Sequence, residues 1–218
     1  MNFISVCVGF YHANYVYALH NSVRKHCSHI KKHFCISDDF RKLPKFVRGI
    51  KPNFPCTGWW NKMHLFSDSM PVGINLYMDL DIVVLKSFDR EIEYSLNLLT
   101  DNIICCSDAI HWKGQKFSSS LMLFKSHSQL KLYHTFVQNF SLASKCDGGD
   151  QIFIGKNTSN FYFLDDVFSD FKLNYKFHLL NSKRNFTPNT KMVDFGGFPK
   201  PHQLADDNIF KSIWLSNL

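Results

Sequence analysis

Apolar positions along the 218 residues fall into short runs divided by polar turns, the spacing of strands alternating with helices. Residues 2–10 form an apolar run closing at Gly9 and predict a first buried strand. Over 11–26, Ala13, Val16, Tyr17, Leu19 and Val23 recur at helical intervals and the segment ends on Arg24, Lys25 and His26, which predicts an amphipathic helix. Residues 34–37 predict a second strand, closed by Asp38 and Asp39. Strand, helix and strand within roughly 40 residues predict a parallel sheet. Residues 41–57 carry Pro44, Pro52 and Pro55 and read as a loop. A helix start is expected at 58–66 and a turn near Pro71 and Gly73. Strands are expected at 74–85, 103–107 and 117–124, and a helix over 129–140. Asp147 to Gln151 form a glycine turn opening onto Ile152, Phe153 and Ile154. Residues 192–202 read as a Gly/Pro loop. The apolar end, 208–218, reads as core in preference to a docking helix or a membrane-surface contact. With no repeat, linker or low-complexity tract, one α/β domain spanning 1–218 accounts for the pattern.

The run 74–85 would be an ordinary buried strand, rich in β-branched residues, but for Asp79 and Asp81. Desolvating a free carboxylate costs several kcal/mol or more, so a partner is required. Acids at i and i+2 share one face of an extended strand, where both can face one hard cation, Mn²⁺ or Mg²⁺. The alternative is a strand that stops at Met78, leaving both acids solvated in a loop.

Composition narrows the class. Hydrophobic residues make up 45%, with 22 Phe, which excludes a disordered chain. The net charge of +7 favours an anionic partner such as a nucleotide, or simply keeps the protein soluble. Seven cysteines, an odd number that includes the neighbours Cys105 and Cys106, fit reduced thiols and a cytoplasmic setting better than a disulfide framework. The opening residues lack a basic leader region, and no apolar run reaches the roughly 18 residues of a membrane span. The cluster His26, Cys27, His29, His33 and Cys35 fits no zinc-finger spacing.

Several blocks stand in a recognisable order: a first strand followed by Tyr11; Trp59-Trp60-Asn61-Lys62; Tyr77-Met78-Asp79-Leu80-Asp81; Phe117 with Ser118, Ser119 and Ser120; Asp150-Gln151; and Gly197-Phe198-Pro199-Lys200-Pro201-His202. Together, over nearly the whole chain, they resemble the GT-A glycosyltransferases, near the bacterial sugar transferases and glycogenin-like enzymes of family 8. The resemblance implies a Rossmann-like, mixed but mostly parallel sheet flanked by helices. It also implies transfer of a hexosyl group from a nucleotide sugar, by default a UDP-sugar, to a glycan or other acceptor hydroxyl.

By the same resemblance, Asp81 holds Mn²⁺ or Mg²⁺ under the donor diphosphate, where a divalent ion neutralises the charge of the leaving group, and Asp79 touches the metal or the ribose. Lys200 faces the diphosphate and Lys62 the nucleotide sugar, as point charges suited to phosphate. Ser118 and Gly197 belong to the same nucleotide-sugar site. The chain departs from the pattern twice. Asp194 stands where the family carries a metal-binding His, and is expected as the third ligand. Ser118 stands where Asn is usual.

Other positions carry two readings. Asp150 and Gln151 support the reacting centre or acceptor, or Asp150 is a helix N-cap. Tyr11 stacks on the base, or simply starts a helix. Asp38 binds the base or ribose at a strand's carboxyl end, or belongs with Asp39 to a turn. Trp59 and Trp60 read as packing residues. Lys113 and Lys116 form a basic rim or a solvated surface. An alternative function is a haloacid dehalogenase-type phosphatase, with Asp79 as nucleophile and Asp165 and Asp166 as its late acidic pair. A basic binding module is a third reading, but no nucleic-acid-binding motif is present, so no nucleic-acid partner is expected. A peripheral contact with the inner face of a membrane remains compatible with the apolar C-terminal segment.

Overall fold

In the computed structural model, which describes residues 1–9, 11–109, 114 and 116–218, the first apolar run becomes β1 (Asn2–Cys7), buried from Phe3 onward. Lys113 lies outside the described residues. α1 (Ala13–His26) follows, and β2 (Lys32–Ser37) pairs parallel with β1. His12 offers α1 no side-chain cap, so packing must hold the helix. Its buried face includes Val16, Leu19 and Val23, each contributing about 1.5–3 kcal/mol. They meet Val83 and Val84 in one core. Arg24, Lys25 and His26 occupy the last turn, where cations complement the helix dipole.

The segment expected to be a loop between β2 and residue 57 contains a further strand, β3 (Val47–Ile50), parallel to β2. Its sequence, with Arg48 and Gly49, has no apolar alternation, and only pairing to β2 makes it a strand. Pro44 and Pro52 fall outside it, as prolines must where ladder hydrogen bonds are needed. Residues Gly58–Phe66 form a 3₁₀ segment and not an α-helix.

The elements that follow are β4 (Ile74–Met78), β5 (Ile82–Val84), α2 (Asp89–Leu98), β6 (Ile103–Ser107), β7 (Phe117–Lys125), α3 (Leu130–Gln138), α4 (Phe140–Ala143), α5 (Gly149–Asn157), β8 (Phe161–Phe163), β9 (Lys172–Asn174), β10 (Met192–Asp194) and α6 (Ile209–Leu215). A seven-stranded sheet runs β3-β2-β1-β4-β7-β6-β8. It is parallel except where β7 pairs antiparallel with β4 and β6. A smaller sheet runs β5-β10-β9.

The run 74–85 is therefore not one strand. β4 ends at Met78, the Asp79 carbonyl accepts from Ile82 N–H at 3.2 Å, and the chain turns through Leu80 and Asp81 into β5 of the other sheet. The same-face argument for the two acids assumed a continuous strand and does not apply. Nor are both acids solvated, since Asp81 is 2% exposed.

Alternate residues of the large sheet feed two apolar layers, as period-2 geometry requires. Phe3, Leu76, Leu121 and Leu123 face a core with Leu19, Val84, Phe88 and Phe195. Ile4, Tyr77, Met122 and Phe124 face a second core with Trp60, Phe66, Phe136 and Phe153. Coverage on both faces explains why the central strands read as near-continuous apolar runs. In α6, Phe210 and Trp214 are buried, whereas Ile209 and Leu215 are exposed. Among the described residues no helix is long and apolar enough to cross a membrane. All seven cysteines are free thiols.

Candidate functional site

The turn after β4 lies where the two sheets meet. Each acid near it has a lysine. Asp79 accepts from Lys62 Nζ at 3.1 Å and from the Tyr77 hydroxyl. Asp81 Oδ2 accepts from Lys200 Nζ and, at 3.2 Å, from the Tyr11 hydroxyl. Lys200 also reaches Tyr11 Oη and the Phe195 carbonyl, both at 3.3 Å. Asp81 Oδ1 is buried with no hydrogen-bond partner. Burial raises the Asp81 carboxyl above its ordinary range, Asp79 adds to this, and Lys200 opposes it.

The tail reaches this turn because β10 runs antiparallel to β5, setting Asp194 beside Ile82 and Val193 beside Val83. Phe195 N–H then donates to the Asp81 carbonyl at 3.2 Å. Gly197 follows with φ +85°, a left-handed conformation that glycine adopts without steric cost, and Lys200 returns toward Asp81. The tail predicted as a loop thus begins with a strand. Its three residues (Met, Val and Asp) carry no alternation of their own.

Lys62 enters from the 3₁₀ segment, which is anchored by Trp60 stacking on Phe136 at 5.6 Å between ring centres. Its ammonium donates to Ser119 Oγ at 3.1 Å and lies 3.4 Å from Asp150 Oδ2. Burial works against the charged amine, but Asp150 and Asp79 outweigh it and hold the Lys62 pKa above its ordinary value. Asp150 is buried, which raises its carboxyl, and Oδ2 has no hydrogen-bond partner. Gln151 Oε1 accepts from Ser119 N–H at 3.2 Å, so the opening of α5 is tied to β7. The N-cap of α5 is Gly148, with Asp150 inside the first turn. The exposed Trp59 covers this start: a Cβ on Gly149 would lie 2.6 Å from Trp59 Nε1.

Asp194 is engaged on both oxygens. Oδ2 accepts from Lys172 Nζ at 3.0 Å and Oδ1 from Gly196 N–H at 2.8 Å. Lys172 also donates to Ser120 Oγ at 2.9 Å and Ser118 Oγ at 3.3 Å. Burial raises the Asp194 carboxyl, but Lys172, Ser120 and the Gly196 N–H together outweigh it and the net shift is downward.

At the carboxyl ends of β1 and β2, a cavity of about 500 Å³ is lined by Val8, Gly9, Asp38, Asn53, Phe54 and Asn61 among others. This is where open α/β sheets bind ligands. Asp38 is part of that wall.

The sequence expectations for Tyr11, Lys62, Asp79, Asp81, Ser118, Asp150, Asp194 and Lys200 thus fall in one connected network, with Gln151 and Gly197 on its backbone supports. Tyr77, Ser119, Ser120 and Lys172 belong to it without having been marked. Lys172 sits between Phe171 and Leu173, where a lysine ordinarily reads as the solvent-facing position of a strand. The acids pointed to a cation. Among the described residues no group of three His, Cys, Asp or Glu side chains is gathered to hold a metal. Asp81 fits such an ion, because its buried Oδ1 is free and the neighbouring negative charge that raises its carboxyl most is that of Asp79.

The sequence matches no protein-family model and no curated protein. Solved structures are similar. The glycosyltransferase GlyE of Streptococcus pneumoniae TIGR4 superposes with a TM-score of 0.74 at 15% identity, over 100% of this chain and 60% of that one. The galactosyltransferase LgtC, in complex with donor and acceptor sugar analogues, gives 0.66 at 15% identity over 99% and 96%. The bifunctional glycosyltransferase WbbM gives 0.66 at 13% identity over 100% and 49%. The fold is that of the GT-A glycosyltransferases. This chain spans about 60% of GlyE but nearly all of LgtC.

Within the GT-A frame the Asp-x-Asp turn ends a central strand, and the tail returns to it. The phosphatase reading gains no support from these neighbours. Its acidic pair is also engaged in other contacts: Asp165 Oδ1 accepts from Ser107 N–H at 2.8 Å and Asp166 pairs with Lys116.

Proposed function

We propose that this chain transfers a hexosyl group from a nucleoside diphosphate sugar, by default a UDP-sugar, to a hydroxyl of a glycan or other acceptor. The observation that carries this is the buried, unpartnered Oδ1 of Asp81 beside Asp79 and Lys200. The same GT-A fold carries a cavity at the carboxyl ends of its first strands. A lone pair buried without a donor is costly, and a cation would satisfy it.

Asp81 and Asp79 are the residues that would hold Mn²⁺ or Mg²⁺. When bound, such an ion neutralises the charge that develops on the departing diphosphate. In the transfer, the bond from the anomeric carbon to the phosphate oxygen breaks and its electron pair leaves with the diphosphate. The acceptor oxygen forms the new bond to that carbon, and its hydroxyl proton passes to the departing diphosphate oxygen. Lys200, on the tail, brings a cation to the diphosphate side. Tyr11 and the wall containing Asp38 would receive the nucleoside. Lys62, bonded to Asp79 and Ser119 and paired with Asp150 at 3.4 Å, holds the acids in place. Asp150 and Gln151, at the opening of α5, would face the sugar and acceptor. The free thiols support a reducing, cytoplasmic setting. The exposed Ile209 and Leu215 of α6 would provide any peripheral membrane contact.

A thermal-shift panel tests the proposal: nucleoside diphosphates, each with and without Mn²⁺, on wild type and Asp81→Ala. A ligand at about 100 times its Kd adds roughly 2.7 kcal/mol of stability. The expected outcome is a shift that needs both UDP and Mn²⁺ and is lost in the variant. A shift with Mg²⁺ and phosphate mimics alone would point to phosphatase chemistry and sink the proposal.

A further inference from the structure

Lys172 has no role in the chemistry above, yet its ammonium ends among the site's own side chains. The side chain is 5% exposed. Its three donors meet three acceptors: Asp194 Oδ2, Ser120 Oγ and Ser118 Oγ. A saturated ammonium is not free to bind phosphate. Asp194, with a lysine on one oxygen and the Gly196 N–H on the other, is likewise compensated. Neither of its oxygens is without a partner, unlike Oδ1 of Asp81.

The register of the small sheet explains the contact. β9 runs parallel to β10 with Lys172 opposite Met192. Asp194, two residues beyond Met192, is therefore the diagonal neighbour on the same face, within reach of a long side chain. On the other side, Ser118 and Ser120 share one face of β7. The Ser120 carbonyl accepts from Asp79 N–H at 2.8 Å, so the ammonium braces the strand that fixes the start of the Asp-x-Asp turn. The two positions at which the chain departs from the pattern it resembles, Ser118 and Asp194, are thus bonded to one and the same ammonium.

We infer that Lys172 is a positioning residue: a built-in cation that claims Asp194 as its counter-ion, so that Asp194 does not ligate a divalent ion. The protein's ligands to such an ion are then Asp81, with its unpartnered Oδ1, and Asp79, whose side chain is 21% exposed against 7% for Asp194. This inference rests on the metal-dependent reading above. It makes Lys172, Ser118 and Asp194 one coupled unit.

The test uses the full chain as wild type, Lys172→Met, Asp194→Leu, the double variant and Asp81→Asn. Urea midpoints are measured first, in EDTA. Breaking a buried pair strands a charge, while replacing both partners with apolar groups is close to neutral. Each single variant of the pair is therefore expected to lower the midpoint and the double to recover most of the loss. Losses that simply add would overturn the pairing. Mn²⁺ affinity is then read from the electron paramagnetic resonance signal of free Mn²⁺ in the presence of UDP. The double variant is expected to bind Mn²⁺ within threefold of wild type, and Asp81→Asn at least tenfold more weakly. Lys172→Met is expected to bind at least fivefold more tightly, because it releases Asp194. A double variant that binds tenfold more weakly, or a Lys172→Met that binds no better than wild type, overturns the inference. A wild type that takes up no Mn²⁺ with any nucleoside diphosphate refutes the metal reading itself, and the EDTA midpoints then decide the pairing.

Discussion

Lys200 donates to Asp81 across 119 positions of sequence, and it leaves the second oxygen of that carboxylate buried without a partner. Tyr11 joins the same pair from the start of the chain. Three segments distant in sequence thus close around one carboxylate. The closure depends on β10 lying antiparallel to β5, which delivers the tail to the turn.

Lys200→Met should weaken binding of UDP about tenfold or more, a loss near 1.4 kcal/mol, while the protein stays folded. Lys200→Arg should recover part of the affinity, because a guanidinium keeps the charge but not the geometry. Isothermal titration of both variants with UDP and Mn²⁺ reads this directly. Equal affinity in Lys200→Met and wild type would remove Lys200 from the diphosphate site.

The start of α5 should tolerate no side chain. Gly149 has φ +64°, and an added Cβ would meet the Trp59 indole at 2.6 Å. Gly149→Ala is expected to destabilise by about 1–3 kcal/mol. Made in a Trp59→Ala background the loss should shrink but not vanish, since the backbone strain remains. Urea denaturation of the four proteins separates the clash from the strain. An unchanged cost in that background would exclude the indole contact.

Trp60 is buried against Phe136 and Phe153 and supports the segment that carries Lys62. Trp60→Ala should cost about 3–5 kcal/mol, visible as a lowered urea midpoint. Trp59→Ala, removing an exposed ring, should cost far less. Similar losses for the two would mean that Trp60 is not the anchor.

Acid should unfold the protein partly through two buried histidines. Burial, with Arg24 adding to it, lowers the His20 pKa to about 4 from an ordinary 6.5. His33, 3.1 Å away and bonded to Ser5, is also held well below 6.5 by burial and by His20. Between pH 6.5 and 4 the unfolded chain binds protons that the folded chain does not. Stability therefore falls as the pH drops through that window, for His20 by at most about 3 kcal/mol. His20→Phe should flatten the fall between pH 7 and 5 in urea titrations. An unaltered slope would show that His20 does not supply it.

Where local signal was strong, the sequence was enough. Apolar runs marked β1, β4, β6 and β7, the first three with β-branched residues. The spacing of Val16, Leu19 and Val23 marked α1. Burial on two faces or along one stripe is a property of each segment by itself. Acids set in an apolar run likewise required compensation whatever the fold. The segments that could not be read are those whose structure is lent by a neighbour. β3 exists through its pairing with β2, and β10 through pairing with β5 and β9.

The amino-acid order therefore determined an α/β chain with a carboxylate pair at its centre, because hydrophobic period and desolvation cost act locally. Tertiary structure alone decided which cation meets which acid. The strand breaks at Asp79, and the tail returns across more than a hundred residues. Lys62, Lys172 and Lys200 are alike in sequence, but the 3₁₀ segment, the register of β9 and the returning tail direct them to different carboxylates: Asp79, Asp194 and Asp81.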